Sequence, residues 1–218
     1  MSNYDTVIFD LDGTLLNTLE DLTDSVNYAM EKYGFLTHTI DEVRRFVGNG
    51  LQKLMERALP AGIEERIFTQ VFEDFRTYYG AHCAAKTQPY DGIPELLDVL
   101  REHGMKLAIV SNKGDFAVQE LNKLYFKGKI EVAIGEREGI RRKPAPDTVL
   151  EALKRLKSDR EHAVYVGDSD VDIKTAENAG LACVSVTWGF RDRDFLKEHG
   201  AVNFADEPGE ILDFLNLG

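Results

Sequence analysis

From residue 88 to the end, short apolar runs alternate with segments of helical spacing, and this alternation constrains the fold more than any other feature of the chain. Leu107-Ala108-Ile109-Val110-Ser111, Val132-Ala133-Ile134, Ala163-Val164-Tyr165-Val166 and Cys183-Val184-Ser185-Val186 each read as a buried strand. Helical spacing fills the gaps. Pro94 opens a helix that stops at Gly104, and Phe116–Leu124, Asp147–Leu156 and Val171–Ala179 follow, the last closed by Gly180. Thr6-Val7-Ile8-Phe9, ending at an acidic turn with Gly13, makes a fifth strand. Strands joined by helices of about ten residues need right-handed crossovers, hence a parallel sheet covered on both faces. The expected fold is α/β, a doubly wound, Rossmann-like sheet.

One stretch breaks the pattern. Between Thr18 and Cys83 nothing resembles a strand. Thr18 with Asp21 reads as a capping box in which Asp stands for Glu, and Thr39 with Glu42 fits the full motif. Helical apolar spacing follows each: Leu22, Val26, Ala29 and Met30 in one, Val43, Phe46 and Val47 in the other. Ile63, Ile67, Val71, Phe72 and Phe75 form a longer stripe. The expectation is an inserted four-helix cap domain at residues 15–87, hinges included, on a core of residues 1–14 and 88–218. A length of 218 residues suits a core with a smaller insert.

Charge narrows the possible partners. Twenty-six Lys and Arg stand against 38 Asp and Glu, a net charge of −12. Such a chain repels a phosphate backbone, and its longest basic run, Arg141-Arg142-Lys143, lies between Glu138 and Asp147. No nucleic-acid partner is expected. Aliphatic runs such as Leu107 to Val110 fall far short of the ~20 residues that span a bilayer, so no membrane partner is expected either. Cys83 and Cys183 form no metal-type pair and read as free thiols of a reducing compartment. Met1-Ser2-Asn3-Tyr4-Asp5 leads directly into the first strand, so a cytoplasmic location is expected, with monomer and homodimer both open. The five histidines, His38, His82, His103, His162 and His199, do not cluster.

In an open parallel sheet, function collects at the carboxyl ends of the strands. Strand one ends in Asp10-Leu11-Asp12-Gly13-Thr14, and residues two apart in an extended chain share a side. Two carboxylates about 5 Å apart repel by roughly 3 kcal/mol at an effective dielectric of about 20, which a cation or a shared proton relieves. Strand two ends in Ser111-Asn112-Lys113, where a hydroxyl and following backbone N–H groups suit a phosphate oxygen. Lys143 precedes Pro144-Ala145-Pro146, which aims it. Strand four ends in Gly167-Asp168, with Asp172 one helical turn on, hard oxygen ligands that suit Mg²⁺.

That series resembles the motifs of the haloacid dehalogenase superfamily, along essentially the whole chain. Asp10 and Asp12 match its first motif, Ser111 the second, Lys143 the third, and Asp168 with Asp172 the fourth. An insert between strands one and two matches the helical-cap subclass. Gly48-Asn49-Gly50-Leu51 and Val186-Thr187-Trp188-Gly189-Phe190 look like the phosphoglycolate phosphatase branch. The resemblance implies Mg²⁺-dependent hydrolysis of a small phosphorylated metabolite. Mg²⁺ would be held by Asp10, the backbone carbonyl of Asp12, and Asp168. Asp10 is then the nucleophile and Asp12 the acid–base. Thr14, Ser111, Asn112 and Lys143 hold the phosphate, and Asp172 orients Lys143 or a metal-bound water.

Cap candidates for the leaving group are Gly48, Asn49 and Gly50, with Arg44, Arg45 and Lys53 beside them as carboxylate readers. Trp188 and Arg191 are placed at the rim. Other readings remain. A hexose-phosphate mutase of the β-phosphoglucomutase kind usually carries a His and an Arg where this chain has Leu22 and Leu51. A phospho-acceptor signalling module shares the acidic cluster but lacks the insert, and a dehalogenase has no use for Asp12.

Overall fold

All seven residues of Val7–Phe9 and Leu107–Val110, in the first two core strands, have no solvent exposure, as a central parallel sheet demands. The computed structural model describes residues 4–48 and 50–217. Its elements in chain order are β1 (Thr6–Phe9), β2 (Leu16–Asn17), α1 (Leu19–Lys32), α2 (Ile40–Phe46), α3 (Leu51–Ala58), α4 (Glu65–His82), β3 (Gln88–Pro89) and α5 (Ile93–Glu102). There follow β4 (Lys106–Gly114), α6 (Asp115–Leu121) with a π-helical turn (Asn122–Phe126), β5 (Val132–Glu136), α7 (Asp147–Leu156), β6 (Ala163–Gly167) and α8 (Asp170–Ala179). The chain closes with β7 (Ala182–Val186), α9 (Arg193–Glu198), β8 (Asn203–Ala205) and α10 (Gly209–Phe214).

Six strands pair in the order β5-β4-β1-β6-β7-β8, all parallel. Strand order runs outward from β1 in both directions, which is the doubly wound arrangement, with its switch point beside β1. Side chains alternate between two apolar layers: Val7, Phe9, Ile109 and Val166 face one, Ile8, Ala108, Val110 and Tyr165 the other. Alternating faces with period two explain why each strand is apolar throughout. The sixth strand, β8, was not among the five expected. Asn203-Phe204-Ala205 is three residues long and edge-placed, too short for an apolar run to betray it. The helix expected to reach Leu124 stops at Leu121, where the π-helical turn widens the coil.

Residues 1–16 and 89–218 form one compact unit, and residues 17–88 another. The second contains α1 to α4 and no strand beyond its boundary residues. Val26, Met30, Val43, Met55, Val71 and Phe75 are fully buried within it. Thr39 and Glu42 do form a capping box, Thr39 N–H donating to Glu42 Oε2 at 2.8 Å and Glu42 N–H to Thr39 Oγ1 at 3.3 Å. The box expected at Thr18 is absent: its side chain caps nothing, and Asp21 is engaged elsewhere. Asp21 is buried and accepts the backbone N–H groups of Lys86 (2.9 Å) and Thr87 (2.8 Å). A shorter acid could not reach back to Thr18 while serving partners 65 residues away in sequence. Cys83 and Cys183 are free thiols. No helix among the described residues is long and apolar enough to cross a membrane.

Candidate active site

The carboxyl ends of β1, β4 and β6 bring four of the expected residues together. Phe9 pairs with Ile109 and Val166, so Asp10 lies one residue past that level and Ser111 and Asp168 two, all at one end of the sheet, and Asp10 N–H donates to the Val166 carbonyl at 2.9 Å. Asp10, Asp168 and Asp172 each offer a carboxylate oxygen within 4.8 Å of the others. Lys143 sits among them, its ammonium 2.7 Å from Asp10 Oδ1, 2.8 Å from Asp172 Oδ1 and 3.0 Å from the Tyr165 hydroxyl.

Each group is over-determined. Asp172 accepts from Lys143 and Tyr165 on one oxygen and from the Ser169 N–H (3.1 Å) and hydroxyl (2.6 Å) on the other. Both oxygens are spent on protein donors, so Asp172 serves to hold Lys143. Asp168 accepts the Phe190 N–H at 2.7 Å through Oδ2 alone. Lys143 is positioned through its own backbone. Asn112 accepts the Lys143 N–H at 2.8 Å and donates to the Lys143 carbonyl at 3.0 Å. The Asn112 side-chain amide is therefore committed to the loop of Lys143, while the phosphate contact expected here falls to the Ser111 hydroxyl and the backbone N–H groups that follow it.

Close packing defines the floor. A Cβ on Gly13, whose φ is +87°, would lie 2.3 Å from Asp168 Oδ2, and one on Gly189 would lie 2.5 Å from the same atom. Only backbone fits there, and that leaves Asp168 room to point inward. Thr14 is fully buried, and its hydroxyl has no hydrogen-bond partner among the described residues. A buried polar atom without a partner is costly, and this one lies next to the Asp10–Asp12 turn.

Electrostatics point the same way. Burial pushes the Asp10 carboxyl up to about 7 despite the Lys143 ammonium beside it, with the Asp172 charge adding to the rise. Burial likewise lifts Asp168 well above the usual carboxylate range, reinforced by Asp172 and Asp10. Burial alone would lower Lys143, but the two carboxylates it touches hold it above its ordinary value. Three acidic groups thus face one ammonium, and full ionisation of all three would leave a surplus of two negative charges in a buried place. A divalent cation with oxygen ligands fits that donor set.

Lys113 and Tyr165 were not among the expected residues. Lys113 is 7% exposed, and its ammonium lies 3.0 Å from Asp12 Oδ1. A register shift in β4 after Val110 turns Ser111–Lys113 out of the regular ladder, and Ser111 Oγ accepts the Lys113 N–H at 3.1 Å. Its place two residues past Ser111 was the available signal. Tyr165 is hidden in an apolar run, where only the hydroxyl distinguishes it. Trp188 donates from Nε1 to the Thr14 carbonyl at 3.0 Å, so it braces the first loop.

In the helical unit, Arg44 and Arg45 are exposed in the last turn of α2, with Gly48 and Gly50 just beyond; Asn49 lies outside the described residues. Lys53 is paired with Glu56. Arg57, not expected, donates to the carbonyls of Phe46 (2.7 Å) and Gly48 (3.2 Å) and shapes this turn.

A family model described as haloacid dehalogenase-like hydrolase matches residues 7–186. A phosphoglycolate phosphatase of Aquifex aeolicus is 32% identical over 189 residues, 84% of this chain and 85% of the relative. An N-acetylmuramic acid 6-phosphate phosphatase of Pseudomonas aeruginosa is 29% identical over 96% of this chain and 94% of its own. Among solved structures, a candidate phosphoglycolate phosphatase from Lactobacillus delbrueckii subsp. bulgaricus superposes with a TM-score of 0.95 at 38% identity, covering 99% of both chains. With a family model over most of its length and relatives of this identity, the chain belongs to the haloacid dehalogenase-like hydrolases and is a phosphatase.

Proposed function

We propose that this phosphatase hydrolyses small phosphate monoesters with Mg²⁺ through an aspartyl-phosphate on Asp10, and that phosphoglycolate represents its substrate class. The excess of acidic groups around Lys143 carries the reading, because a dianionic phosphate cannot approach an anionic nucleophile without added positive charge. Mg²⁺, held by Asp10, Asp168 and the Asp12 carbonyl, would supply that charge and polarise the phosphoryl oxygens.

The chain's own groups do the rest. A carboxylate oxygen of Asp10 attacks phosphorus while the bond to the leaving oxygen breaks. Asp12 gives its proton to that oxygen and then takes one from the water that cleaves the acyl phosphate, returning the Asp10 carboxylate and releasing inorganic phosphate. In the structure the Lys113 ammonium lies 3.0 Å from Asp12 Oδ1. Transfer of Lys113 to the incoming phosphate would leave Asp12 facing the leaving oxygen. Lys143, fixed by Asp172, Tyr165 and Asn112, neutralises the transferring group, and the Ser111 and Thr14 hydroxyls hold its oxygens.

Residues 15–87 are read as a cap whose closure excludes water, with Arg44, Arg45 and the Gly48–Gly50 turn meeting the leaving group. Both relatives named above act, by their names, on phosphates of carboxylic acids, which agrees with arginines as carboxylate readers. Leu22 and Leu51, in place of the mutase His and Arg, support hydrolysis over phosphoryl return to a sugar. The two free thiols agree with a cytoplasmic location. A panel of phosphate monoesters assayed with Mg²⁺ and with excess chelator tests the reading. Turnover of phosphoglycolate above neutral esters, lost on chelation and restored by Mg²⁺, is the expected result; full turnover in chelator overturns the metal assignment.

A further inference from the structure

A second cavity, of about 650 Å³, lies within the core unit and shares no residue with the acidic cluster at Asp10. Its walls combine the partly buried rings of Tyr90 and Trp188 and the Leu212 side chain with the carboxylates of Asp91, Glu95 and Glu207. Asp206 also reaches it but is already paired with Arg193 at 2.6 Å. Among the described residues no Lys, Arg or His lines the cavity, and no ion pair involves Asp91, Glu95 or Glu207. The volume is that of a small-molecule pocket. Aromatic faces beside uncompensated carboxylates select one chemistry, a cation carrying an apolar body, which gains from both cation–π contact and charge.

We propose that this cavity is an effector site for a small organic ammonium ion. Two of its residues are tied to the loop that follows Asp10 and Asp12, Trp188 through its ring and Tyr90 through its backbone. Trp188 Nε1 donates to the Thr14 carbonyl at 3.0 Å, and the Tyr90 N–H donates to the Leu15 carbonyl at 3.2 Å. Trp188 also precedes Gly189 and Phe190, the residues that pack against and hydrogen-bond Asp168. An occupant in contact with Tyr90 and Trp188 bears on both of these attachments.

Trp188 is the single tryptophan of the chain, so it reports occupancy directly. With the enzyme in saturating Mg²⁺ and constant ionic strength, benzyltrimethylammonium is titrated against Trp188 fluorescence, with phenylacetate as the anion of similar body. Saturable quenching by the cation alone is expected. In Glu95→Gln/Glu207→Gln the dissociation constant should rise roughly fivefold or more, while Glu102→Gln on the same helix leaves it unchanged. These carboxylates are exposed, so the substitutions leave the fold intact, which a thermal melt verifies. Absence of saturable quenching, equal quenching by phenylacetate, or an unchanged constant in the double variant overturns the site. Saturating cation should also shift KM or kcat for an aryl phosphate by about twofold or more. Binding with unaltered kinetics overturns the effector role.

Discussion

The core unit and the helical unit hold their polar side chains in opposite ways. Around Asp10, Lys143, Asp168 and Asp172 are buried, and Asp172 alone accepts four hydrogen bonds. In the helical unit Arg44 and Arg45 stand exposed at the end of a seven-residue helix, and the turn beyond is shaped mainly by Arg57. A buried charge must be fully paired, so each core residue is constrained by several others at once. An exposed arginine carries no such debt and can be exchanged without disturbing the fold. Constraint therefore concentrates in the buried core cluster, and freedom at the exposed end of α2.

The largest effect expected from this contrast is that of Asp10→Asn, which should reduce phosphatase turnover to background, because an amide is neither nucleophile nor good metal ligand; rapid-quench detection of phosphoenzyme should likewise fail. Measurable phosphoenzyme in that variant would remove Asp10 from its role. Asp12→Asn should be milder, a loss of about 10²–10⁴-fold in kcat with Mg²⁺ binding retained, as acid–base help is lost but the backbone carbonyl remains.

Stability separates the two units as well. Asp172→Asn strips Lys143 of one carboxylate and should cost about 3 kcal/mol or more in denaturant titration, whereas Arg45→Ala should stay within about 0.5 kcal/mol. Equal costs would erase the contrast drawn here. Arg44→Ala and Arg45→Ala together should lower kcat/KM for phosphoglycolate roughly tenfold and leave a neutral aryl phosphate nearly unchanged. An unaltered ratio would end the carboxylate-reading idea while leaving the phosphatase intact. Arg57→Ala, which loosens the same turn, should shift that ratio less, by about threefold.

The smallest effect is a linkage. Asp10 titrates in the unfolded chain near the ordinary 3.8 and, pushed up by burial, at about 7 in the folded metal-free protein. Its folded form holds a proton that the unfolded chain has released, so this group's stabilisation is lost as pH rises from about 4 through about 7. Mg²⁺ should therefore raise Tm more at pH 7.5 than at pH 5, a difference of a few degrees by calorimetry. Equal increments at both pH values would contradict the upward shift of the buried Asp10 carboxyl.

Much of this was legible in the chain. Five strands, the four inserted helices and the positions of Asp10, Asp12, Ser111, Lys143, Asp168 and Asp172 followed from apolar periodicity and from polar residues at strand ends, because both are local signals. What escaped was what only neighbours reveal. The strand β8 is too short to carry a pattern, and Asp21 looked like a cap because its true partners, Lys86 and Thr87, are distant in sequence. That the Asn112 amide holds the loop of Lys143, 31 residues on, is likewise visible only in three dimensions.

Sequence by itself determined the alternation of strand and helix, the doubly wound sheet it forces, and the chemical types gathered at the strand ends. Tertiary structure alone decided which of those groups touch: that Lys143 bridges Asp10 and Asp172, that Lys113 meets Asp12, and that Gly13 and Gly189 clear the space beside Asp168. The physical reason is range. Backbone periodicity is set by a residue and its near neighbours, whereas charge pairing and close approach depend on strands that parallel pairing brings side by side from far apart in the chain.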